Sequence, residues 1–158
     1  TGSLISIIEA NRKAQTMKAV VNNLHFALEN MSRNIRTGRA YLCGASGVVG
    51  VGKDCPHTPA HSLAFIDALN QTVVYRYQVD AQGRGRIDRT IGSGESVPIT
   101  APEIHVEQLR FYVTGAENPR DTLQPRVLIV AKGEMRGKGN IVSRFDIETL
   151  VSQRQLDI

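Results

Sequence analysis

Tryptophan is absent from this chain of 158 residues, and Phe and Tyr occur only four times each. Any platform for stacking nucleic-acid bases would therefore rest on Tyr75 and Tyr77. No run of eighteen apolar residues occurs, so the residues at hand contain no membrane-spanning helix. Cysteine occurs only at Cys43 and Cys55, enough for one disulfide. Ser, His and Asp are present, but none sits in a nucleophile-elbow context, and no catalytic constellation emerges. Pro and Gly are missing between Ser3 and Gly38, which leaves that whole stretch free to be helical. Internal repeats and domain boundaries are absent too. One domain over residues 4–158 follows, behind Thr1-Gly2-Ser3, which reads as the scar of a cleaved expression tag.

The uninterrupted stretch dominates what is there. Met17, Val21, Leu24, Leu28, Met31 and Ile35 are spaced four, three, four, three, four, which places all six on one side of a helix. Lys18, Asn22, Asn23, Glu29, Asn30, Arg33 and Arg36 occupy the other faces. Gly38 marks the stop, so the helix is expected over residues 4–37, about 50 Å at helical rise. Upstream of Met17 the stripe breaks into a short apolar run, Leu4, Ile5, Ile7 and Ile8, followed by polar residues. This predicts a stalk that continues past the body of the domain.

Residues 38–61 read as a loop containing both cysteines, and 62–158 as an antiparallel β region. Strands are expected at 63–66, at 71–79 with Val73, Tyr75, Tyr77 and Val79 on one face, and at 85–91 as a polar edge strand. A short edge strand with Pro98 follows at 97–100. Residues 104–113 switch apolar parity near Gln108, which predicts a bulge. Residues 127–131 are apolar on both faces and should be a central strand. The last strand spans 141–153, with Phe145, Ile147 and Val151 inward, and 115–124 and 133–140 are polar loops. The fold class is α+β: a long N-terminal helix laying its seam on an antiparallel sheet.

The charge of +4 is concentrated early: residues 1–60 hold seven Lys and Arg against three Asp and Glu, the rest twelve against twelve. That suits a mildly anionic partner or a membrane surface. Gly47-Val-Val-Gly-Val-Gly52-Lys53 matches the start of a phosphate-binding loop, but Asp54 stands where Ser or Thr would reach Mg²⁺ and no helical pattern follows, so it reads as a flexible loop. Cys43, Cys55, His57 and His61 carry the atoms of a zinc site at an unusual spacing. A Cys43–Cys55 disulfide, closing a loop with no core of its own, is the favoured reading, and it implies an oxidising compartment. Tyr75 and Tyr77 share a face with Val73 and Val79, so core positions are favoured over base stacking. Arg84, Arg86 and Arg89 are interleaved with Asp80 and Asp88.

Four stretches carry a resemblance. They are Asn23-Leu-His-Phe-Ala-Leu-Glu-Asn-Met-Ser-Arg-Asn-Ile-Arg36, Thr72-Val-Val-Tyr-Arg-Tyr77, Ile99-Thr-Ala-Pro-Glu-Ile104 with Leu109-Arg-Phe-Tyr112, and Phe145-Asp-Ile-Glu-Thr-Leu-Val-Ser-Gln-Arg154. Together with the order of elements, they resemble the soluble part of a type IV pilin-like protein of minor-pilin or minor-pseudopilin type. The resemblance implies a structural subunit of a pilus-like filament or secretion pseudopilus, exported and anchored in the inner membrane before assembly. Its partners would be other pilin or pseudopilin subunits, and the membrane through an apolar helix half upstream of Ser3. Leu4, Ile5 and Ile8 would be the remnant of the assembly surface, while Met17, Val21, Leu24, Leu28, Met31 and Ile35 hold helix to sheet. No cofactor is expected, and the isolated domain is expected to be monomeric. The alternative is a nucleic-acid-binding module such as a DNA-uptake minor pilin.

Overall fold

The computed structural model describes residues 2–118 and 120–154, with the side chains of residues 2–10 and Lys13 outside the description. Helix α1 spans Gly2–Arg36. Eight strands follow: β1 Arg39–Cys43, β2 Ser62–Ile66, β3 Thr72–Val79, β4 Gly85–Ile91, β5 Val97–Pro98, β6 Ile104–Thr114, β7 Arg126–Arg136 and β8 Val142–Ser152, with a short 3-10 turn, Lys138–Asn140, before the last. The expectation of an α+β fold with a helix on antiparallel strands holds, but the single sheet does not. The strands form two sheets, β1-β2-β3-β4-β5 and β6-β7-β8.

The division has a local physical cause. After β5 the chain turns through Ala101 to Ile104, and β6 crosses β4 instead of extending its ladder. Gly85 lies at the crossing: a Cβ there would come within 1.8 Å of the Val106 carbonyl oxygen. The Gly85 amide donates to His105 Nδ1 at 2.9 Å, which fixes the contact. Only a residue without a side chain permits so close a backbone approach.

Several strand boundaries move. Residues 39–43, expected in the loop, form β1, with a register shift between Arg39 and Leu42. Ala40 takes φ 55° there, the left-handed conformation that the extra residue of a bulge adopts. β7 continues through Arg136, past the expected end at Ala131. It is the central strand of its sheet. The bulge in β6 lies between Val106 and Gln108. β4, expected at an edge, is an inner strand, and the Pro98-bearing β5 takes the edge.

The core runs from the helix through β6 and β7 into β1, β2 and β3. Leu24, Leu28, Met31 and Ile35 are buried, Met17 and Val21 half-buried, and Val20 and Ala27 are buried beside them. The seam is therefore wider than the six-residue stripe, as expected for a helix packed on a sheet rather than on another helix. Residue 38, just past the helix, is glycine for lack of space: a Cβ would meet the Phe65 ring at 2.4 Å. The carbonyls at this helix end are served by Thr37 and Gly38 locally and by two donors from other elements. Tyr41 Oη donates to Ile35 O at 2.5 Å, the Gly38 amide donates to the same oxygen at 3.0 Å, and the Arg154 amide donates to Arg36 O at 2.8 Å. This meets the need of a helix C-terminus for outside donors.

Phe26 projects from the opposite face, 68 % exposed. Leu24→Ala should lower the unfolding free energy by about 2–5 kcal/mol, through lost burial plus a cavity, and Phe26→Ala by no more than about 0.5 kcal/mol. Urea unfolding of the two variants measures the difference; comparable losses would mean that the outer helix face is also packed.

Candidate assembly helix and the disulfide-closed loop

The helix leaves the body of the domain at Met17, which lies against Gly137 at the turn before β8. Beyond it, Asn11, Arg12, Ala14 and Gln15 are exposed, and Thr16 is half-buried with its hydroxyl donating to Arg12 O at 2.9 Å. The helical backbone of residues 2–16 continues for about 22 Å beyond Met17 at helical rise. The side chains of Leu4, Ile5 and Ile8, the expected assembly remnant, lie outside the described residues. No described helix is long and apolar enough to cross a membrane.

From Met17 onward polar anchors supplement the seam. Asn23 Oδ1 accepts from the Ala101 amide at 3.0 Å, and Asn34 Nδ2 donates to Tyr75 Oη at 3.0 Å. These bonds tie the helix to the end of the first sheet and to its middle strand. Burial raises the Tyr75 phenol above its ordinary pKa, against the opposing pull of the Asn34 bond and the Arg89 charge. Tyr75 is 1 % exposed and stacks on Phe65 at 6.0 Å between centroids. It is a core residue, so Tyr75 and Tyr77 together present no stacking platform.

Cys43 and Cys55 are bonded, with Cα atoms 6.1 Å apart. The bond takes both sulfurs out of any zinc set. His61 contributes a Nδ1 contact of 3.0 Å to Leu109 O, and His57 is exposed. Among the described residues no three of His, Cys, Asp and Glu converge on a metal position.

The loop closed by this bond joins the two sheets. On one side Lys53 pairs in parallel with the outer edge of β1: its amide donates to Tyr41 O at 2.9 Å and its carbonyl accepts from the Cys43 amide at 3.1 Å. On the other side the same segment serves the outer edge of β6. The Cys55 amide donates to Val113 O at 2.9 Å, and Ala60 and Phe111 exchange two bonds of 3.1 and 2.8 Å. The Val113 amide donates to Cys55 Sγ at 3.4 Å. The Asp54 carboxylate accepts from the amides of Gly115, Ala116 and Glu117 at 3.2, 2.8 and 3.2 Å, which holds the start of the β6–β7 loop.

These commitments leave no phosphate cradle. The backbone around Lys53 is engaged with β1, and no helix follows the Gly-rich run. An open depression of about 460 Å³ beside the disulfide is lined by Ser46, Lys53, His57 and Thr58, among others. Its carboxylate, Asp54, is committed to the loop amides. Val48, Val49 and Val51 project from the loop, 70, 52 and 57 % exposed.

Charged residues elsewhere pair locally. Asp88, 1 % exposed, accepts from Arg86 Nε at 2.8 Å and Ser96 Oγ at 3.0 Å, a buried carboxylate with its partners in place. The Arg84 and Gln82 amides depress the half-buried Asp80 carboxyl, with Arg84's amide bond the larger cause. Arg144 bridges Glu107 at 2.7 Å and Glu134 at 3.2 Å, and its hydrogen bond holds the Glu107 carboxyl below the usual range. No family model matches the chain, and neither curated proteins nor solved structures give a significant match.

Replacing both Cys43 and Cys55 by Ala should cost about 2–4 kcal/mol, because the open chain regains loop entropy. Denaturant melts of the bonded protein and the double variant measure it. An unchanged midpoint would mean that the hydrogen bonds of the loop hold it without the covalent link.

Proposed function

We propose that this chain is the head and part of the stalk of a type IV pilin-like structural subunit, of a pilus-like filament or a secretion pseudopilus, that acts by helix-mediated assembly. The observation that carries the reading is the division of α1 at Met17. Twenty residues, from Met17 to Arg36, carry the stripe buried against the domain, and the helix then runs on for residues 2–16 with its described side chains largely in solvent. Extending a helix into water gains little without a partner, since most helical stability comes from packing an apolar face. Its continuation suits an element whose packing surface is supplied by neighbouring subunits. One disulfide in a loop of little intrinsic core adds support for export to an oxidising compartment.

In this reading the head is a rigid body that positions the stalk, and the energy of assembly comes from burying apolar helix surface at about 25 cal/mol per Å². Lateral contacts between heads set the geometry. Nothing in the reading calls for a cofactor. The nucleic-acid alternative gains no support from Tyr75, which is buried.

The test is a deletion of residues 2–16 in the protein expressed with its native upstream sequence rejoined at Met17. The head should keep its melting temperature to within about 2 °C, the shift produced by less than about 1 kcal/mol in a domain of this size, while incorporation into filaments is lost. Filaments of ordinary abundance from the deleted protein would overturn the proposal.

A further inference from the structure

The two sheets have four outer edges; two are covered and a third is blunted. Lys53 pairs with β1, residues 55–60 serve β6, and β5 ends the first sheet with a Pro that has no amide hydrogen to offer. The fourth is the outer edge of β8. Among the described residues no strand pairs with it. An open edge is a template for another strand, and proteins ordinarily blunt it with charged side chains, Pro, a bulge, extreme shortness or a covering element. β8 carries charges, Arg144, Asp146 and Glu148, but it runs for eleven residues without Pro or Gly, and its register with β7 is unbroken from Arg126↔Ser152 to Arg136↔Val142.

The order of side chains along this edge is palindromic in chemistry about Asp146. In an antiparallel pairing of β8 with a copy of itself, Val142 faces Leu150, Ser143 faces Thr149, Arg144 faces Glu148 and Phe145 faces Ile147, each twice. Apolar meets apolar, hydroxyl meets hydroxyl and cation meets anion, the pairings that stabilise adjacent strands. Val142 and Leu150 are 50 and 59 % exposed in the single chain, and the pairing gives each an apolar neighbour. The one unfavourable contact is Asp146 against itself on the axis, eased by Lys132, whose Nζ lies 3.7 Å from the Asp146 carboxylate.

We propose that the outer edge of β8 is a self-complementary docking edge, occupied by β8 of a second copy of this chain, with Asp146 at the two-fold axis and one six-stranded sheet running through both. Such an isologous contact closes on itself as a dimer. It revises the expectation of a monomeric domain. Its geometry is also distinct from filament assembly. Met17 lies against Gly137 before the start of β8, and Arg36 O meets the Arg154 amide beyond its end, so α1 and β8 run in the same direction. A two-fold axis perpendicular to the sheet reverses that direction in the partner, so the stalks point opposite ways. Neighbours in one filament have parallel stalks. The edge therefore pairs free heads, or heads on two oppositely directed filaments, and does not depend on the function proposed above.

The experiment is cross-linking of Asp146→Cys in the whole chain. The native cysteines are bonded to each other and no described thiol is free, so under oxidation only the new thiol reacts. Residues opposed across an antiparallel pair have Cα atoms about 4.5–5.5 Å apart, inside the range a disulfide spans. Asp146→Cys should give a covalent dimer, while Leu69→Cys, at a 79 % exposed position in the turn of the other sheet, should form one at least roughly tenfold more slowly at the same concentration.

Adding Glu148→Arg to Asp146→Cys places like charges opposite each other twice and should slow capture roughly tenfold, and adding Arg144→Glu as well should restore it. Arg144 also pairs with Glu107 and Glu134. Leu150→Lys is therefore a further arm that leaves those pairs intact and should slow capture in the same way. Equal capture rates for Asp146→Cys and Leu69→Cys, or rates indifferent both to the charge at 148 and to Leu150→Lys, would overturn the proposal.

Discussion

Backbone amides and carbonyls at the edges of a sheet must be paired or left to water, and this fold is arranged around that requirement. The eight strands cannot form one ladder, because β6 crosses β4 where Gly85 meets Val106. Two sheets follow, and with them four edges. The Cys loop resolves two of these at once: Lys53 serves β1, and residues 55, 60 and 61 serve β6 at Val113, Phe111 and Leu109. Its disulfide limits how far the two ends of that link can separate. A loop with little core of its own thus joins the sheets that enclose the core.

The helix depends on that arrangement. Its seam faces β7 and β8 while the core continues into the first sheet. Asn34 on the helix bonds Tyr75 of β3, and Tyr41 of β1 bonds the Ile35 carbonyl, so two strands of the first sheet hold the helix near its C-terminal end. Because the Ile35 and Arg36 carbonyls are served by Tyr41 and by the Arg154 amide, the helix is fixed at its C-terminal end and free to extend at the other. A head that grips one end of a helix so firmly, and leaves Asn11, Arg12, Ala14 and Gln15 exposed, is suited to transmit position along that helix. This is the physical content of the assembly proposal.

Much of the fold was legible in the residues. The steps between Met17 and Ile35 gave the buried face, Gly38 gave the stop, the parity change at Gln108 gave the bulge, and the apolar run at 127–131 gave a central strand. The reason Gly38 is glycine was not legible, because it depends on where Phe65 arrives from β2. β1 was hidden because Ala40 breaks the alternation with a left-handed conformation and the strand ends directly in a Gly-rich loop. The division into two sheets was hidden because it depends on one close backbone crossing rather than on any periodicity. Asp88 read as one charge in an alternating strand, and only the positions of Arg86 and Ser96 explain its burial. In the candidate site the cysteine pairing followed from composition, but the joining role of the loop did not. It is made by backbone groups of Lys53, Cys55 and Ala60, whose side chains give no sign of it.

The claim that the disulfide-closed loop holds the two sheets together is tested most directly by hydrogen exchange at single amides, before and after reduction of the Cys43–Cys55 bond. The account predicts that the amides of Cys43, Lys53, Cys55, Ala60 and Phe111 are protected in the bonded protein, and that they lose protection together on reduction as one cooperative unit. Rapid exchange at these amides with the disulfide intact, or protection unchanged after its reduction, would contradict it.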